Sequence, residues 1–343
     1  MRAAILHRPK DLRLEQMPDP VPGDHEVLVR IKAVGVCGSD VHWFSRGRIG
    51  DTVLDGPLVL GHEAAGVVQK VGRSVQTPQI GTRVALEPGV PCRTCEACQA
   101  GNYNTCPQVR FFGTPPTHGC YREYVTHPAD FVFPMPDNLT FGEGAMIEPL
   151  AVSMHAVDLA KVKTAHTVAV LGCGSIGLMV IALARISGAS EIYATDPIEA
   201  RRDAAMKYGA DVVIDPSKED PVERIATLTN GRGVDAAFEA AGAPDTPQQC
   251  VDLAKPCGTV ALIGIPEEDQ TTFKVSRARR KGLTIRMVRR LKHTYPRSIA
   301  LVQKGMVDVR SLITHEFSLD RAEEALKLVE DYADGVIKAV VNI

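Results

Sequence analysis

The stretch that decides the fold is TVAVLGCGSIG, residues 167–177. A short apolar run leads directly into the pattern G-x-G-x-x-G, and a helical apolar pattern follows it. Strand, glycine-rich turn and helix in this order are typical of a dinucleotide site. The first glycine makes the tight turn, the second admits the pyrophosphate, and the third lets the helix pack on the strand, while the helix N-terminus faces the phosphates. The predicted cofactor contacts in this turn are Gly172, Gly174, Ser175, Ile176 and Gly177.

An acidic residue, Asp196, ends the next apolar run about 20 residues further on. Its carboxylate can accept hydrogen bonds from the adenosine ribose hydroxyls and would repel a 2′-phosphate, so it favours NAD over NADP. Arg201, a further predicted cofactor contact, and Arg202 follow closely and weaken that preference. A glycine-rich turn that binds nothing is the alternative.

The sequence pattern of the chain changes near Thr167. Before it, apolar runs such as EVLVRIKAVGV are punctuated by glycine and proline, which predicts a compact, mostly β domain. After it, short apolar strands alternate with helical stretches, which predicts an α/β domain with a parallel sheet covered on both faces. Beyond about Arg290 the pattern indicates a helical stretch, a short strand, an amphipathic helix and a last strand. We therefore expect a coenzyme domain at 152–290, inserted into a catalytic domain made of 1–151 and 291–343.

Composition excludes several classes of protein. The chain has 343 residues, which favours two domains, and 45% of them are hydrophobic, which is enough for substantial cores. The net charge of -2 offers no basic field to recruit nucleic acid or a membrane surface. No apolar run is long enough to span a bilayer, and the N-terminus is too polar for a secretory signal. We expect a cytoplasmic protein with neither nucleic-acid nor membrane partners.

Four of the nine cysteines are crowded into the pattern C-x2-C-x2-C-x7-C. In a reducing compartment such a cluster indicates metal ligation before disulfides. Four thiolates can surround a tetrahedral Zn²⁺ and leave no position for water, so this zinc would be structural. An iron–sulfur cluster or free thiols are the alternatives, and a zinc-ribbon nucleic-acid module lacks a basic stripe here. The predicted ligands are Cys92, Cys95, Cys98 and Cys106.

Scattered residues offer a second, open metal site. Cys37 lies in the turn VGVCGSDVH, His62 and Glu63 lie in LGHEAAGVV, and Glu148 lies in MIEPLAVSMHAV, just before a predicted helix. Thiolate, imidazole and carboxylate are the donors that zinc prefers. Spacing alone does not assemble these groups.

The motifs together resemble the zinc-containing medium-chain dehydrogenases. Gly61-His62-Glu63 with Gly66 and Gly72, the CGSD turn, the cysteine cluster and GCGSIG follow in that family's order over essentially the whole chain. Several stretches resemble the sorbitol and xylitol dehydrogenase branch more closely: CGSDVHWF, PLVLGHEAAGVV, RFFGTPP, IEPLAVSMHAV and THEFSLDRAEEAL. The resemblance implies a GroES-like catalytic domain, a Rossmann coenzyme domain, two zinc ions per chain, NAD, and oxidation of a secondary hydroxyl of a polyol to a ketone.

The resemblance also implies roles for the scattered residues. Cys37, His62 and Glu63 would ligate the catalytic zinc, and Glu148 would reach it directly or through its water. Asp40 would orient His62 from behind, a role that is compatible with capping its own turn.

A proton path is implied as well. Zinc would act as a Lewis acid that lowers the pKa of the substrate hydroxyl, and hydride would pass to the nicotinamide. The proton would leave through the Ser39 hydroxyl, the nicotinamide ribose and His42. Direct loss from the zinc water or from Glu148 is the alternative, with His42 an ordinary loop histidine.

Substrate contacts follow from the same branch, with the active site expected in the cleft between the domains. The aromatic residues could equally belong to the core, and Leu291 departs from the tyrosine expected in sorbitol dehydrogenases, which leaves the identity of the polyol open. The implied contacts are Ser39, Trp43, Phe111, Phe112, Glu148 and Arg290.

Other functions stay open at this stage. The basic run 277–293 is interpreted as a solvated face or subunit contact, or else as a site for a phosphorylated substrate. The enzyme could act on idonate, threonine or a simple alcohol, and a non-catalytic relative would be expected to lack the zinc ligands or the glycine-rich turn. The family commonly forms dimers or tetramers, so we expect a homo-oligomer.

Overall fold

The computed structural model describes residues 1–343, and the chain forms two compact units. The first unit comprises Met1–Pro149 and Lys292–Ile343, and the second unit comprises Leu150–Leu291. These divisions lie within two residues of the boundaries expected from the sequence. No helix is both long enough and apolar enough to cross a bilayer.

The chain up to residue 149 consists mainly of short strands. β3 forms the centre of the first unit's core, because its apolar side chains, among them Val27, Val29 and Ile31, are fully buried. The elements are β1 (Arg2–Arg8), β2 (Asp11–Gln16), β3 (Glu26–Gly35), α1 (Gly38–Arg46), β4 (Arg48–Ile49), β5 (Thr52–Val53), β6 (Leu58–Val59), β7 (Glu63–Val71), β8 (Arg83–Leu86), β9 (Gly89–Val90), α2 (Glu96–Gln99), β10 (Arg110–Phe111), β11 (Tyr124–Pro128), β12 (Val132–Pro134) and α3 (Phe141–Ala145).

The second unit is built around a six-stranded parallel sheet. Its first strand is buried along its whole length, as expected for a parallel sheet covered on both faces. The elements are α4 (Ile147–Ala160), which begins just before the unit boundary, then β13 (Thr167–Leu171), α5 (Ser175–Ile186), β14 (Glu191–Thr195), α6 (Glu199–Lys207), β15 (Val212–Ile214), α7 (Pro221–Leu228), β16 (Val234–Glu239), α8 (Thr246–Leu253), β17 (Ala254–Leu262), α9 (Val275–Lys281) and β18 (Thr284–Met287).

The strand order in this sheet is β15-β14-β13-β16-β17-β18, with every neighbouring pair parallel. The chain runs outward from β13 to one edge, returns to the centre and runs outward to the other edge. This is the doubly wound order whose switch point lies between the first and fourth strands, here β13 and β16. The predicted Rossmann domain is confirmed.

The last part of the chain completes the first unit. It contains α10 (Tyr295–Gln303), β19 (Ile313–Ser318), α11 (Ala322–Glu330) and β20 (Lys338–Asn342). β20 pairs antiparallel with β3, and the main sheet has the order β12-β8-β7-β3-β20-β19, with β11 also on β3. Both β7 and β20 therefore flank β3, and this pairing brings the two ends of the sequence together.

Candidate active site

A buried carboxylate joins the turn before α1 to the loop before β7. Cys37 is the N-cap residue of α1. Asp40, in the first turn and fully buried, accepts a hydrogen bond from the Cys37 backbone N–H at 3.0 Å and another from the Gly61 N–H at 3.0 Å. One side chain thus fixes the backbone on both sides of the predicted site.

The same carboxylate faces the predicted imidazole ligand. Asp40 Oδ1 lies 3.5 Å from His62 Nδ1, and His62 is buried. Burial lowers the pKa of His62, but the negative charges of Asp40 and Cys37 outweigh it and raise the pKa well above its usual value. The Phe111 ring packs against the His62 ring, with 5.2 Å between the ring centroids. His62 is therefore held between an orienting carboxylate and an aromatic wall.

Glu63 is held by a cation that the sequence analysis did not anticipate. Lys338 Nζ lies 2.6 Å from both carboxylate oxygens, donates to Oε1, and also donates to the Val36 carbonyl at 3.0 Å. Both side chains are almost completely buried. Apart from this ion pair, Glu63 Oε2 makes no hydrogen bond. A Cβ on Gly35 would lie 2.0 Å from this oxygen, so only glycine leaves room for it.

Three of the predicted ligands come together. The Cys37 sulfur, a His62 ring nitrogen and a Glu63 carboxylate oxygen all lie within 4.8 Å of one another. One thiolate, one imidazole and one carboxylate suit Zn²⁺, and three protein ligands leave a fourth position open for substrate. Glu63 Oε2 has Lys338 beside it but makes no further hydrogen bond, so it retains lone-pair capacity for a metal ion. These residues fit a catalytic zinc ion.

Glu148 lies near this group and outside it. It is buried, and burial raises its pKa to about 7, with His62 opposing the change and Glu63 adding to it. The sequence placed Glu148 just before a helix, which is wrong, because α4 begins at Ile147. The following Pro149 is tolerated there, since the first turn of a helix needs no backbone N–H donor.

The four clustered cysteines also come together, and all are free of disulfides. Their sulfurs lie within 4.8 Å of one another. Backbone N–H groups of Thr94 and Cys95 lower the pKa of Cys92 to about 6, so this thiol is already prepared as a thiolate. A two-stranded ribbon of β9 and β10 closes the lobe that carries them. Four convergent thiols of this kind fit a closed structural zinc site.

Residues just after the second unit secure this lobe. The His293 N–H donates to the Tyr103 hydroxyl at 2.8 Å, and Lys292 Nζ bonds to Asn102. Tyr103 in turn hydrogen-bonds to the buried carboxyl of Glu87. The lobe is thus tied to β8 and to the returning chain.

The remaining predicted residues of the first unit lie on or near α1. Ser39 and His42 are half-buried and three residues apart, so they share one face of the helix. Trp43 is 2% exposed and belongs to the hydrophobic core, and Phe112 packs against His127 in the same core. Of the predicted aromatic contacts, Phe111 is the one that faces a zinc ligand.

The glycine-rich turn has the form that the sequence predicted. Gly172 has a φ of 97°, and a Cβ on Gly177 would lie 1.8 Å from the Gly172 carbonyl oxygen. At Gly174 the nearest atom to such a Cβ is Arg201 Nη1 at 3.9 Å. Gly174 is the N-cap residue of α5, and because it has no side chain, the first N–H groups of the helix receive no side-chain cap from it. Open space before a bare helix N-terminus fits a pyrophosphate.

Asp196 directly follows β14 and is 4% exposed. Its carboxylate accepts hydrogen bonds from the Cys173 N–H at 2.8 Å and the Ile198 N–H at 2.9 Å. Arg202 donates to the Asp196 carbonyl at 2.7 Å and pairs with Asp215 at 3.1 Å. Asp196 is therefore fixed against the glycine-rich turn. Arg202 already has two partners, the Asp196 carbonyl and the Asp215 carboxylate.

Part of the basic run is used within the second unit. Arg277 pairs with Asp252 at 2.5 Å, and Lys281 Nζ donates to the carbonyls of Val251, Asp252 and Ala254. Arg290 is half-buried, with a φ of 53°. The run is thus not a uniform cationic surface.

Comparison with known proteins agrees with this geometry. The family model for the alcohol dehydrogenase GroES-like domain matches residues 23–137, and that for the zinc-binding dehydrogenase matches residues 175–304. Sorbitol dehydrogenase of Bacillus subtilis (strain 168) is 39% identical over 341 residues, which cover 99% of this chain and 97% of that protein. The chain is a zinc-containing medium-chain dehydrogenase.

Solved structures resemble this dehydrogenase over its full length. An Escherichia coli oxidoreductase of unknown specificity superposes with a TM-score of 0.95 at 37% identity, covering 100% of this chain and 99% of that one. A dehydrogenase from Sinorhizobium meliloti 1021, solved with bound NADP, has a TM-score of 0.92 at 32% identity with the same coverage. The first unit is the GroES-like domain, and the second is the nucleotide-binding domain.

Lys338 is the principal residue of the dehydrogenase that sequence reasoning missed. A lysine at the start of the otherwise apolar segment KAVVN was the available signal, because a buried strand rarely carries an unpaired charge. Its partner could not be deduced from spacing.

Proposed function

We propose that this dehydrogenase oxidises a secondary hydroxyl of a polyol to a ketone with zinc and NAD. The observation that carries the proposal is the convergence of one thiolate, one imidazole and one carboxylate in a chain 39% identical to a sorbitol dehydrogenase. A vicinal diol is a polar ligand, and an oxygen-containing donor set keeps the site polar and exchangeable.

Cys37, His62 and Glu63 would hold the catalytic ion, and the four clustered cysteines would hold a second, structural one. Bound zinc would supply Lewis-acid chemistry that makes a substrate hydroxyl more acidic. Asp40 keeps His62 in place through its contact with Nδ1 and keeps Cys37 in place through the backbone. Lys338 forms a buried ion pair with Glu63 and so balances the charge that a carboxylate ligand brings to the site.

The substrate proton needs a path to solvent. Ser39 and His42 share a face of α1 and are both partly exposed. We assign the proton to the Ser39 hydroxyl and, through the nicotinamide ribose of bound cofactor, to His42. The alternative acceptor is Glu148, whose pKa of about 7 also suits proton transfer.

Recognition of the polyol falls to side chains that can contact hydroxyl groups and carbon chains. Ser39 and Glu148 can hydrogen-bond to hydroxyls, and Phe111 can pack against the carbon chain next to His62. Arg290 stays a proposed contact. Trp43 is better explained as a core residue that supports α1, because it is almost completely buried.

NAD is the proposed cofactor, with the glycine-rich turn on its pyrophosphate and Asp196 on the adenosine ribose. Bound NAD would accept the hydride. Each Asp196 oxygen accepts one backbone N–H and retains a lone pair for a ribose hydroxyl. A related structure contains NADP, and Arg201 lies beside Gly174, so relative affinity for NAD and NADP is the direct test of this preference.

Free cysteines throughout the chain support a cytoplasmic location.

The proposal is tested by a substrate panel with NAD. NADH formation is followed with sorbitol, xylitol, galactitol, L-idonate, L-threonine and ethanol. We expect the highest kcat/KM for a polyol. Activity confined to ethanol or threonine would exclude the polyol substrate but retain the zinc enzyme. Activity on a phosphorylated polyol alone would assign phosphate binding to members of the basic run other than Arg277 and Lys281, which are used within the second unit.

A further inference from the structure

A buried carboxylate without a cationic partner lies at the carboxyl edge of the second unit's sheet. Glu239 is the last residue of β16 and is 2% exposed. Its Oε1 accepts hydrogen bonds from the N–H groups of Ala241 and Gly242, at 2.9 and 2.7 Å, and lies 2.8 Å from the Thr246 hydroxyl. Its Oε2 accepts from the Gly264 N–H at 3.1 Å. Three backbone N–H groups and one hydroxyl group thus surround this carboxylate.

These donors belong to two different loops. Ala241 and Gly242 follow β16, whereas Gly264 follows β17. A Cβ on Gly264 would lie 2.4 Å from the Gly242 nitrogen and 2.5 Å from Glu239 Oε2, so the loops touch each other at the carboxylate. A Cβ on Gly172 would lie 2.8 Å from the Ala240 carbonyl carbon, so the loop after β16 also touches the glycine-rich turn. Glu239 therefore holds together the two loops that lie next to the proposed pyrophosphate site.

The strand order indicates which half of the cofactor these loops meet. In a doubly wound sheet the dinucleotide lies across the switch point, with one mononucleotide over each half. Asp196 and the strands β14 and β15 lie on the adenosine side of β13. The loops after β16 and β17 lie on the other side, where the nicotinamide half must extend.

We infer that Glu239 is the positioning residue for the nicotinamide half of the cofactor, holding the loops after β16 and β17 in the form that receives it. The inference rests on the proposed dinucleotide function. A carboxylate suits this position because both of its oxygens can accept the hydrogen bonds that the two loops offer. A glutamine would offer one acceptor oxygen and turn an NH₂ group toward N–H donors.

The test separates the two halves of the cofactor. Binding of NADH and of ADP-ribose, which lacks the nicotinamide, is measured by titration calorimetry on the full chain and on Glu239→Gln. We expect the variant to bind NADH about 10- to 100-fold more weakly, because hydrogen bonds to a charged acceptor are lost, while its affinity for ADP-ribose changes less than about threefold. Thr246→Val, which removes one donor, is expected to shift the same ratio less and serves if Glu239→Gln does not fold.

The matched control is Asp235→Asn, at the opposite end of the same strand. Asp235 is also buried, but it pairs with Arg232 and Lys255 and accepts the Thr167 N–H. It lies away from both loops, so its substitution should leave the ratio of NADH to ADP-ribose affinity unchanged.

Four outcomes would contradict the inference. Equal losses of NADH and ADP-ribose affinity in Glu239→Gln, or no loss of either, overturn it while the proposed cofactor stands. A change in the affinity ratio in Asp235→Asn as large as in Glu239→Gln overturns it as well. If the wild-type chain binds neither ligand, the proposed cofactor is wrong and the inference falls with it.

Discussion

Glu63 carries two assignments at once, since it is a proposed zinc ligand and the partner of a buried lysine. Lys338 lies 275 residues away in sequence and reaches Glu63 because β20 and β7 flank β3. A carboxylate that meets both Lys338 and a metal ion is stabilised by either one. Loss of the lysine should therefore matter most when zinc is absent.

Lys338→Met tests this relation. Removing one partner of a buried ion pair leaves an uncompensated charge, so we expect the zinc-free protein to lose about 3 kcal/mol of unfolding free energy. Bound zinc would compensate Glu63, and the loss should be smaller in its presence. Chemical denaturation of both proteins with chelator and with zinc measures the difference. An equal loss under both conditions would contradict the shared role of Glu63. Lys327→Met, which breaks the exposed pair with Glu323, is the control and should have no measurable effect.

Glu87 predicts a pH dependence of stability. Burial raises its pKa to about 7, with the Tyr103 hydrogen bond opposing the change and the negative charges of Glu148 and Asp130 adding to it. Because the folded pKa lies above the unfolded one, the contribution of Glu87 to stability is fully present below the unfolded pKa and is lost as pH rises through the folded value.

Relative to acidic pH, Glu87→Gln should therefore gain stability over the wild type as pH rises through 7, by about 3 kcal/mol once Glu87 is fully ionised. The advantage should shrink as pH falls from 7 toward the ordinary carboxyl pKa. Glutamine retains an acceptor for Tyr103. Unfolding curves across this pH range measure it, and parallel pH profiles for the two proteins would show that Glu87 ionises normally.

At the scale of elements, the cysteine lobe is a short-range structure whose ligands lie within 15 positions, residues 92–106. Such spacing is readable from sequence because the intervening turns are too short to place the sulfurs elsewhere. The glycine-rich turn is readable for the same reason. Cys37, His62 and Glu63 are separated along the chain, and only the sheet around β3 brings them together, so the resemblance to a family was needed to group them.

Some elements were less visible in the sequence. Helices α7 and α8 are eight residues long and begin at or next to a proline, so their patterns are short and resemble turns. β17 begins at Ala254, four residues before the apolar run GTVALIG at 258–264. That early part includes a left-handed Cys257 and a register shift against β16, which hide the strand periodicity.

The lobe gives a test at this scale. Cys106→Ser removes one of four thiolates from the proposed structural site and should lower zinc content from two ions per chain to one. The exposed Cys257→Ser is the control and should retain both. Metal analysis of the purified proteins measures the ratio. If Cys106→Ser retains two ions, the lobe does not hold zinc in the proposed way.

For the whole molecule, we expect a homo-oligomer. β18 is the edge strand of the second unit's sheet, and Met287 on it is 69% exposed. An unpaired edge with exposed apolar residues is a surface that another chain can cover. Light scattering should give a multiple of the chain mass, and Met287→Lys should lower it. A monomer at all concentrations would contradict this expectation.

The fold of the whole molecule was predictable because the sequence pattern changes over long stretches. Short apolar runs interrupted by glycine and proline give way to alternating strand and helix patterns. Charge pairing across the first unit was not predictable, because it depends on the strand order of a sheet built from both ends of the chain. The chemistry proposed for the zinc site, in contrast, can be tested only on the protein itself.

One measurement tests it most directly. NADH formation from sorbitol or xylitol is followed in the purified protein, then after removal of zinc with a chelator, and again after zinc is restored. We expect activity that disappears with the metal and returns with it. Polyol oxidation that continues unchanged in metal-free protein would contradict the role assigned to Cys37, His62 and Glu63.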